Sequence, residues 1–176
     1  MRTLQYRTRF IELAAEVNAE MPRYVVSRVA EALNGARKAV NGSRILLLGV
    51  SYKKDVGDTR ESPALDIIAY LRAMGAEVSF HDPYVGKLSL DTDSLESTAL
   101  TAEAVVRADA VVVTSDHSGV DYDLVLEHAS IIIDPRNALS GRTGKARVYP
   151  IAGPARTSTH GVTDETPPAG VAISPV

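Results

Sequence analysis

Between Ile45 and Pro63 the chain reads ILLLGVSYKKDVGDTRESP, and this stretch gathers the residue types that hold phosphate. Lys53, Lys54 and Arg60 lie in a polar loop with Asp55, Gly57 and Asp58, directly after the apolar run Ile45-Leu46-Leu47-Leu48-Gly49-Val50. The loop ends at Ser62-Pro63. A serine there accepts from the orphan N–H groups of a helix and proline suits its first position, so the spacing predicts a helix starting at this point. First-turn N–H groups and the helix dipole favour an anion, and lysine or arginine adds charge-assisted hydrogen bonds. At roughly 1.5–3 kcal/mol for each charged hydrogen bond, two or three contacts approach the ~8 kcal/mol that micromolar binding of a diphosphate requires. The loop holds neither GxGxxG nor GxxxxGKS/T, so it encodes neither the usual dinucleotide turn nor a P-loop. The same residues also allow a solvated loop whose lysines and aspartates pair with one another.

Positioning such a loop takes a sheet. The apolar run has the length of a strand buried on both faces, as central parallel strands are. Ala64–Met74 repeats apolar residues at helical spacing and ends at Gly75, and Glu77–His81 reads as a second strand ending at Asp82-Pro83-Tyr84. Gly86–Leu100 is weakly patterned and reads as loop with a short strand near Leu88–Leu90. Thr101–Arg107 and Tyr122–His128 read as helices, Ala110–Thr114 and Ser130–Ile133 as strands, with a short fifth strand at Arg147–Tyr149. Strands separated by helices argue for an α/β, doubly wound, Rossmann-like parallel sheet. Polar residues follow each strand, and in a parallel sheet they share the carboxyl edge, where open α/β folds bind ligands at a switch point. Tyr52, Lys53, His117 and Arg136 are thereby expected to converge on one crevice.

The flanks differ from this centre. From about Thr8 to Lys38 the pattern is helical, with Phe10, Leu13, Ala14, Val17, Met21, Tyr24 and Val25 recurring at three- and four-residue intervals. Pro22 removes an N–H and crowds the preceding turn, so a kink or division is expected there. Beyond Pro22 the apolar face broadens to Val26, Val29 and Leu33, leaving two apolar faces to bury: both in one core, or one on a second subunit or another domain. Residues 151–176 turn to Pro, Gly, Ala, Thr and Ser and read as a disordered tail. The expected organisation is a long helix over 1–40, a domain over 41–150 and that tail.

Composition narrows the function classes. A chain of 176 residues with 45% hydrophobic content buries one real core. A net charge of -3 makes no case for nucleic acid or for an anionic membrane surface, so any anion site is local. No eighteen-residue apolar run and no signal-peptide pattern is present, which leaves the cytoplasm as the default expectation. With no cysteine there is neither a disulfide nor a thiolate nucleophile, and the histidines, His81, His117, His128 and His160, lack metal-ligand spacing.

The residues quoted above also resemble a known family. GVSYKKDVGDTRESPALDI, GAEVSFHDPYV, ADAVVVTSDH and IIIDPRNAL are similar to the C-terminal UDP-binding domain of the UDP-glucose and UDP-N-acetylhexosamine 6-dehydrogenases. RFIELAAEVNAEMPRYVVSRVAEALN resembles the long helix that joins the halves of those enzymes and forms their dimer, and RFIELA and MPRYVV look more like the N-acetylhexosamine branch. The resemblance covers about Thr8 to Leu139. It implies that Tyr52 and Lys53 hold the UDP moiety, that Arg136, or Asn137 if the register slips by one, lies near the diphosphate, and that Arg60 reaches toward NAD on another domain. It further implies a UDP-sugar substrate, a homodimer through the first helix, and a separate NAD-carrying half. The family's cysteine and GxGxxG domain are not among these residues, so no catalytic residue is expected here, NAD is not expected to bind this chain alone, and the chain alone is expected to be inert. Two other readings remain: a non-catalytic interaction or dimerisation module, and an independent NAD-binding domain, which would want glycines where Tyr52, Lys53 and Lys54 stand.

Overall fold

A computed structural model describes residues 9–90 and 93–157. The described residues begin with a helix, α1 (Arg9–Gly35), and continue through β1 (Arg44–Leu48), α2 (Pro63–Ala73), β2 (Glu77–His81), β3 (Lys87–Ser89) and β4 (Ser94–Glu96). It then forms α3 (Ala102–Arg107), β5 (Ala110–Val113), α4 (Tyr122–His128), β6 (Ile131–Asp134), β7 (Arg147–Pro150) and β8 (Arg156–Thr157). The main sheet has the order β2-β1-β5-β6-β7-β8. Every pair from β2 to β7 is parallel, and only β8 runs antiparallel. The architecture is the doubly wound one that the alternation of strands and helices predicts.

Alternation along β1 builds two cores. Ile45 and Leu47 face the layer of α1 and α2, with Val29, Leu33, Ile68 and Leu71. Leu46 and Leu48 face the layer of α3 and α4, with Val105, Val125 and Leu126. All of these are essentially out of solvent, and at ~1.5–3 kcal/mol for each large apolar side chain this double burial is the main force holding the sheet between its helices. From β1 the chain goes to β2 on one side, then crosses to β5 on the other. The switch point therefore lies between the carboxyl ends of β1 and β5, where the cationic loop begins.

The turn out of β1 is sterically exacting. Gly49 holds φ 78°, and a Cβ there would lie 2.5 Å from the Cβ of Ser115, so both the backbone conformation and the approach of the β5 loop require glycine. At the other end of the loop Ser62 caps α2, its Oγ accepting from Ala64 N–H at 3.3 Å, with Pro63 as the first helical residue. Gly75 follows α2 at φ 85°, the left-handed position glycine takes after a helix.

Three local expectations change. Of the kink or division expected at Pro22, the division does not occur: α1 runs through the proline, and losing one N–H bond is outweighed where the continuing helix buries Val25, Val26, Val29 and Leu33. Gly86–Leu100 holds a hairpin, β3 paired antiparallel with β4, instead of one short strand. Three-residue strands are too short to show a period, and Leu88, 1% exposed, is what docks the hairpin on the core. The tail read as starting at Ile151 is folded at its start: β8 pairs with β7, and Ile151 and Ala155 pack on the core. The buried Arg28 of α1 donates from Nη2 to the carbonyls of Pro150 and Gly153 at 3.1 and 3.0 Å, a contact across the whole chain that local composition does not reveal. The remainder of the expected tail, from 158 on, lies outside the described residues.

The two apolar stretches of α1 have different fates. Beyond Pro22 one face of the helix belongs to the core and Tyr24 stays exposed, while before it Ile11, Leu13 and Val17 are 64, 57 and 50% exposed. No helix among the described residues is long and apolar enough to cross a membrane.

Candidate functional site

Tyr52, Lys53 and Arg136 line one cavity of about 940 Å³ at the carboxyl edge of the sheet. Thr114 and Pro135 form its floor, the start of α2 supplies Glu61, Pro63, Asp66 and Ile67, and the stretch of α1 from Ala15 to Val25 forms a wall. The volume suits a small-molecule ligand, for which ~300–1,000 Å³ is usual. Lys53 Nζ sits 5.3 Å from the ring centroid of Tyr52, so the cation lies over an aromatic face and both are open to solvent. Glu61 and Asp66 share the lining, so the cavity sets two cations, Lys53 and Arg136, against two carboxylates.

Arg136 is placed by the turn that follows β6. The buried carboxylate of Asp134 accepts from Ala138 N–H through Oδ1 and from Leu139 N–H through Oδ2, both at 3.0 Å. Between them Asn137 takes φ 56°, a left-handed conformation that asparagine tolerates better than most residues. Arg136 Nη2 lies 3.6 Å from Asp116 Oδ1, and Lys54 Nζ lies 3.9 Å from Asp116 Oδ2. An anion entering the cavity would compete with Asp116 for Arg136. Such half-exposed pairs contribute ~0–1 kcal/mol, so the competition is a weak one.

Behind the cavity wall the loops are tied together by two residues that sequence reasoning either misplaced or passed over. His117, expected at the crevice, is instead fully buried and does not line the cavity. Its Nδ1 accepts from Asp55 N–H at 2.8 Å, and its Nε2 lies 3.0 Å from Ser51 Oγ and 3.1 Å from Asp82 Oδ2. Asp82, also buried, accepts from Val50 N–H at 2.7 Å through Oδ2 and from Tyr84 and Val85 N–H at 2.8 and 3.1 Å through Oδ1. The aspartate after β2 thus holds the β1, β2 and β5 loops at once. In the sequence it is one polar residue after a strand, and the signal that marks it is only its place before Pro83.

The outer half of the loop is held by its own polar groups. Tyr52 N–H donates to the Asp58 carbonyl at 2.7 Å. Asp55, at φ 58°, accepts from Ser118 N–H and Ser118 Oγ at 2.7 and 2.8 Å and from Tyr84 Oη at 3.3 Å. The Ser118 N–H and hydroxyl hold the Asp55 carboxyl below its usual range, while burial and the Asp55 carboxylate push the Tyr84 phenol up. Arg60 is largely in solvent and is outside the cavity shared by the other three predicted site residues. It forks onto Asp58 through Nε and Nη2 at 3.0 and 2.7 Å, and that guanidinium draws the Asp58 carboxyl down to about 2. No group of histidines and carboxylates able to hold a metal occurs among the described residues.

Residues 46–141, more than half of the chain, match the family model of the UDP-glucose/GDP-mannose dehydrogenase family, UDP binding domain. The chain belongs to that family. Among curated relatives of this UDP binding domain, the UDP-N-acetyl-D-mannosamine dehydrogenase of Pyrococcus horikoshii is 35% identical over 135 residues, covering 73% of the chain and 30% of the relative. The NDP-N-acetyl-D-galactosaminuronic acid dehydrogenase of Ralstonia solanacearum is 32% identical over 139 residues, covering 76% and 31%. Among solved structures, that of UDP-D-ManNAc dehydrogenase from Pyrococcus horikoshii superposes with a TM-score of 0.70 at 28% identity, covering 85% of the chain and 35% of its own. The UDP-N-acetyl-mannosamine dehydrogenase Cap5O from Staphylococcus aureus gives 0.64 at 27% identity, covering 85% and 35%. The UDP binding domain described here spans less than a third of the length of those curated relatives.

Proposed function

We propose that the chain is the sugar-nucleotide-binding portion of an NAD-dependent dehydrogenase that oxidises C6 of a UDP-N-acetylhexosamine from alcohol to carboxylate. The observation that carries this reading is the convergence of Tyr52, Lys53 and Arg136 on one cavity at the switch point of a UDP binding domain. Lys53 and Arg136 meet the diphosphate with charge-assisted hydrogen bonds, and Tyr52 offers its ring beside them. Both chemical partners of the oxidation come from outside these 176 residues. A nicotinamide dinucleotide does not fit the turn after β1, where Tyr52, Lys53 and Lys54 stand in place of the glycines that let backbone approach a pyrophosphate, and the chain has no cysteine to form a thioester. Arg60, solvated outside that cavity and paired with Asp58, is the residue this reading assigns to the NAD-carrying part. The N-acetylhexosamine branch is favoured by relatives that act, by name, on UDP-N-acetyl-D-mannosamine. Titration of the 176-residue chain with uridine diphosphate in a calorimeter tests the binding claim: saturable heat at micromolar to millimolar ligand is expected, and a folded chain that gives none counts against it.

The exposed apolar residues of α1 favour a second, compatible role, pairing of two copies. Ile11, Leu13, Val17 and Tyr24 remain in solvent on a helix whose continuation is core, and an apolar face of that kind is commonly covered by another subunit. Sedimentation equilibrium is expected to give a dimer that Leu13→Glu with Val17→Glu weakens at least tenfold. A monomer at high micromolar concentration removes this role and leaves the face to the NAD-carrying part.

A further inference from the structure

We propose that His117 is the positioning residue of the anion-binding loop, its imidazole clamping the backbone on both sides of Lys54, directly after Lys53, and so setting the direction from which Lys53 meets a diphosphate. The inference rests on the reading of the cavity as a uridine diphosphate site. His117 itself would touch no ligand there, being fully buried and no part of the cavity lining.

The clamp follows from the proton inventory of the ring. Asp55 N–H can only donate, so Nδ1, 2.8 Å away, accepts and the ring hydrogen is on Nε2. That hydrogen faces Asp82 Oδ2 at 3.1 Å and Ser51 Oγ at 3.0 Å. Ser51 spends its own hydrogen on the carbonyl of Lys53, at 2.7 Å. The carbonyl of Lys53 and the N–H of Asp55 are therefore both referred to one buried ring, the first through Ser51 and the second directly. Asp82 holds that ring with a carboxylate already tied to Val50, Tyr84 and Val85, and the Tyr84 ring packs on it at a centroid distance of 5.1 Å.

The arrangement has the composition of a serine–histidine–aspartate relay without its geometry. Ser51 and Asp82 both meet Nε2 and Nδ1 is occupied by a backbone N–H, so the ring cannot take a proton from one while being oriented by the other. What the cluster does is hold a non-glycine residue, Asp55, at φ 58°. Such a conformation persists only where its surroundings over-determine it, and here His117 takes the N–H while Ser118 takes the carboxylate. A loop that carries its working lysine two residues earlier is thereby held before ligand arrives, which is how a flexible side chain gains affinity without added contacts.

Two variants separate positioning from stability, because their amides reach different ends of the imidazole. His117→Asn places an oxygen near the Nδ1 position and keeps an acceptor for Asp55 N–H, whereas His117→Gln reaches the Nε2 end and loses that acceptor. In the full chain without ligand, amide exchange at Asp55 is expected to speed up about tenfold or more in His117→Gln and to stay near the parent in His117→Asn. Affinity for uridine diphosphate is expected to fall about tenfold in His117→Gln and to recover most of that loss in His117→Asn, while the melting midpoint drops in both. Unchanged exchange at Asp55 in His117→Gln, or affinity losses that simply follow the melting midpoint in both variants, overturns the proposal. If neither variant folds, Ser51→Ala releases the Lys53 carbonyl from the ring while Asp55 N–H stays on it, and is expected to cost a few-fold in affinity; an affinity equal to the parent's overturns the clamp. Failure of the parent chain to bind uridine diphosphate instead overturns the reading of the cavity, and the exchange comparison still decides whether His117 braces the loop.

Discussion

Lys53→Ala is expected to lower the affinity of the chain for uridine diphosphate by roughly 10- to 100-fold, and Arg60→Ala to leave it within about twofold. A charged hydrogen bond is worth roughly 1.5–3 kcal/mol and each ~1.4 kcal/mol is a factor of ten, which sets the first figure. Lys53 lines the cavity and its only close aromatic partner among the described residues is Tyr52, so its ammonium is available to a ligand. Arg60 lies outside that cavity and is already committed to Asp58 by a two-point fork. Calorimetry on the two variants decides the matter. Equal losses would contradict the division of labour between a phosphate-binding lysine and an outward-facing arginine, and no loss in Lys53→Ala would remove the lysine from the site.

The second large effect concerns folding. Asp82→Ala is expected to cost about 3–5 kcal/mol of stability, measured by urea denaturation with linear extrapolation. Its carboxylate has no exposed area and accepts from the N–H groups of Val50, Tyr84 and Val85 as well as from His117. Removing it strands these buried donors, at roughly 1–3 kcal/mol each where water cannot replace the lost acceptor, and the sum is capped by the few kcal/mol that single substitutions usually reach. Against a total of ~5–15 kcal/mol for a domain, such a loss leaves the chain close to unfolding. Asp82→Asn is expected to be nearly as harmful, since its NH2 group would face an N–H donor whichever way the amide is turned. A cost below about 1 kcal/mol in either variant would mean that water enters the cluster and that the three loops do not depend on this carboxylate.

The sequence made the sheet and its helices legible for a physical reason. β1, β5 and β6 are buried on both faces, and three or four consecutive aliphatic residues carry that information without reference to anything distant. Ser62-Pro63 likewise announces the start of α2, because capping is a local contact between a side chain and the next turn. The hairpin of β3 and β4 was not legible, since strands of three residues have no measurable period. Nor was the folding of residues 151–157 onto the sheet, which depends on a guanidinium more than a hundred residues earlier reaching the carbonyls of Pro150 and Gly153.

The cavity divides in the same way. That Lys53, Tyr52 and Arg136 would meet was inferable from topology, because every loop after a parallel strand emerges on one edge and the chain order fixes which loops flank the switch point. That His117 would turn inward, away from the crevice, was not. A histidine after a strand is exposed or buried according to whether a distant acceptor waits for its Nε2 hydrogen, and Asp82, on another strand's loop, is that acceptor. Local pattern and chain order therefore account for the layers, the edge and the cations at that edge. The buried bracing that aims those cations depends on pairings between residues 30 to 70 positions apart, and such pairings exist only once the chain has closed on itself.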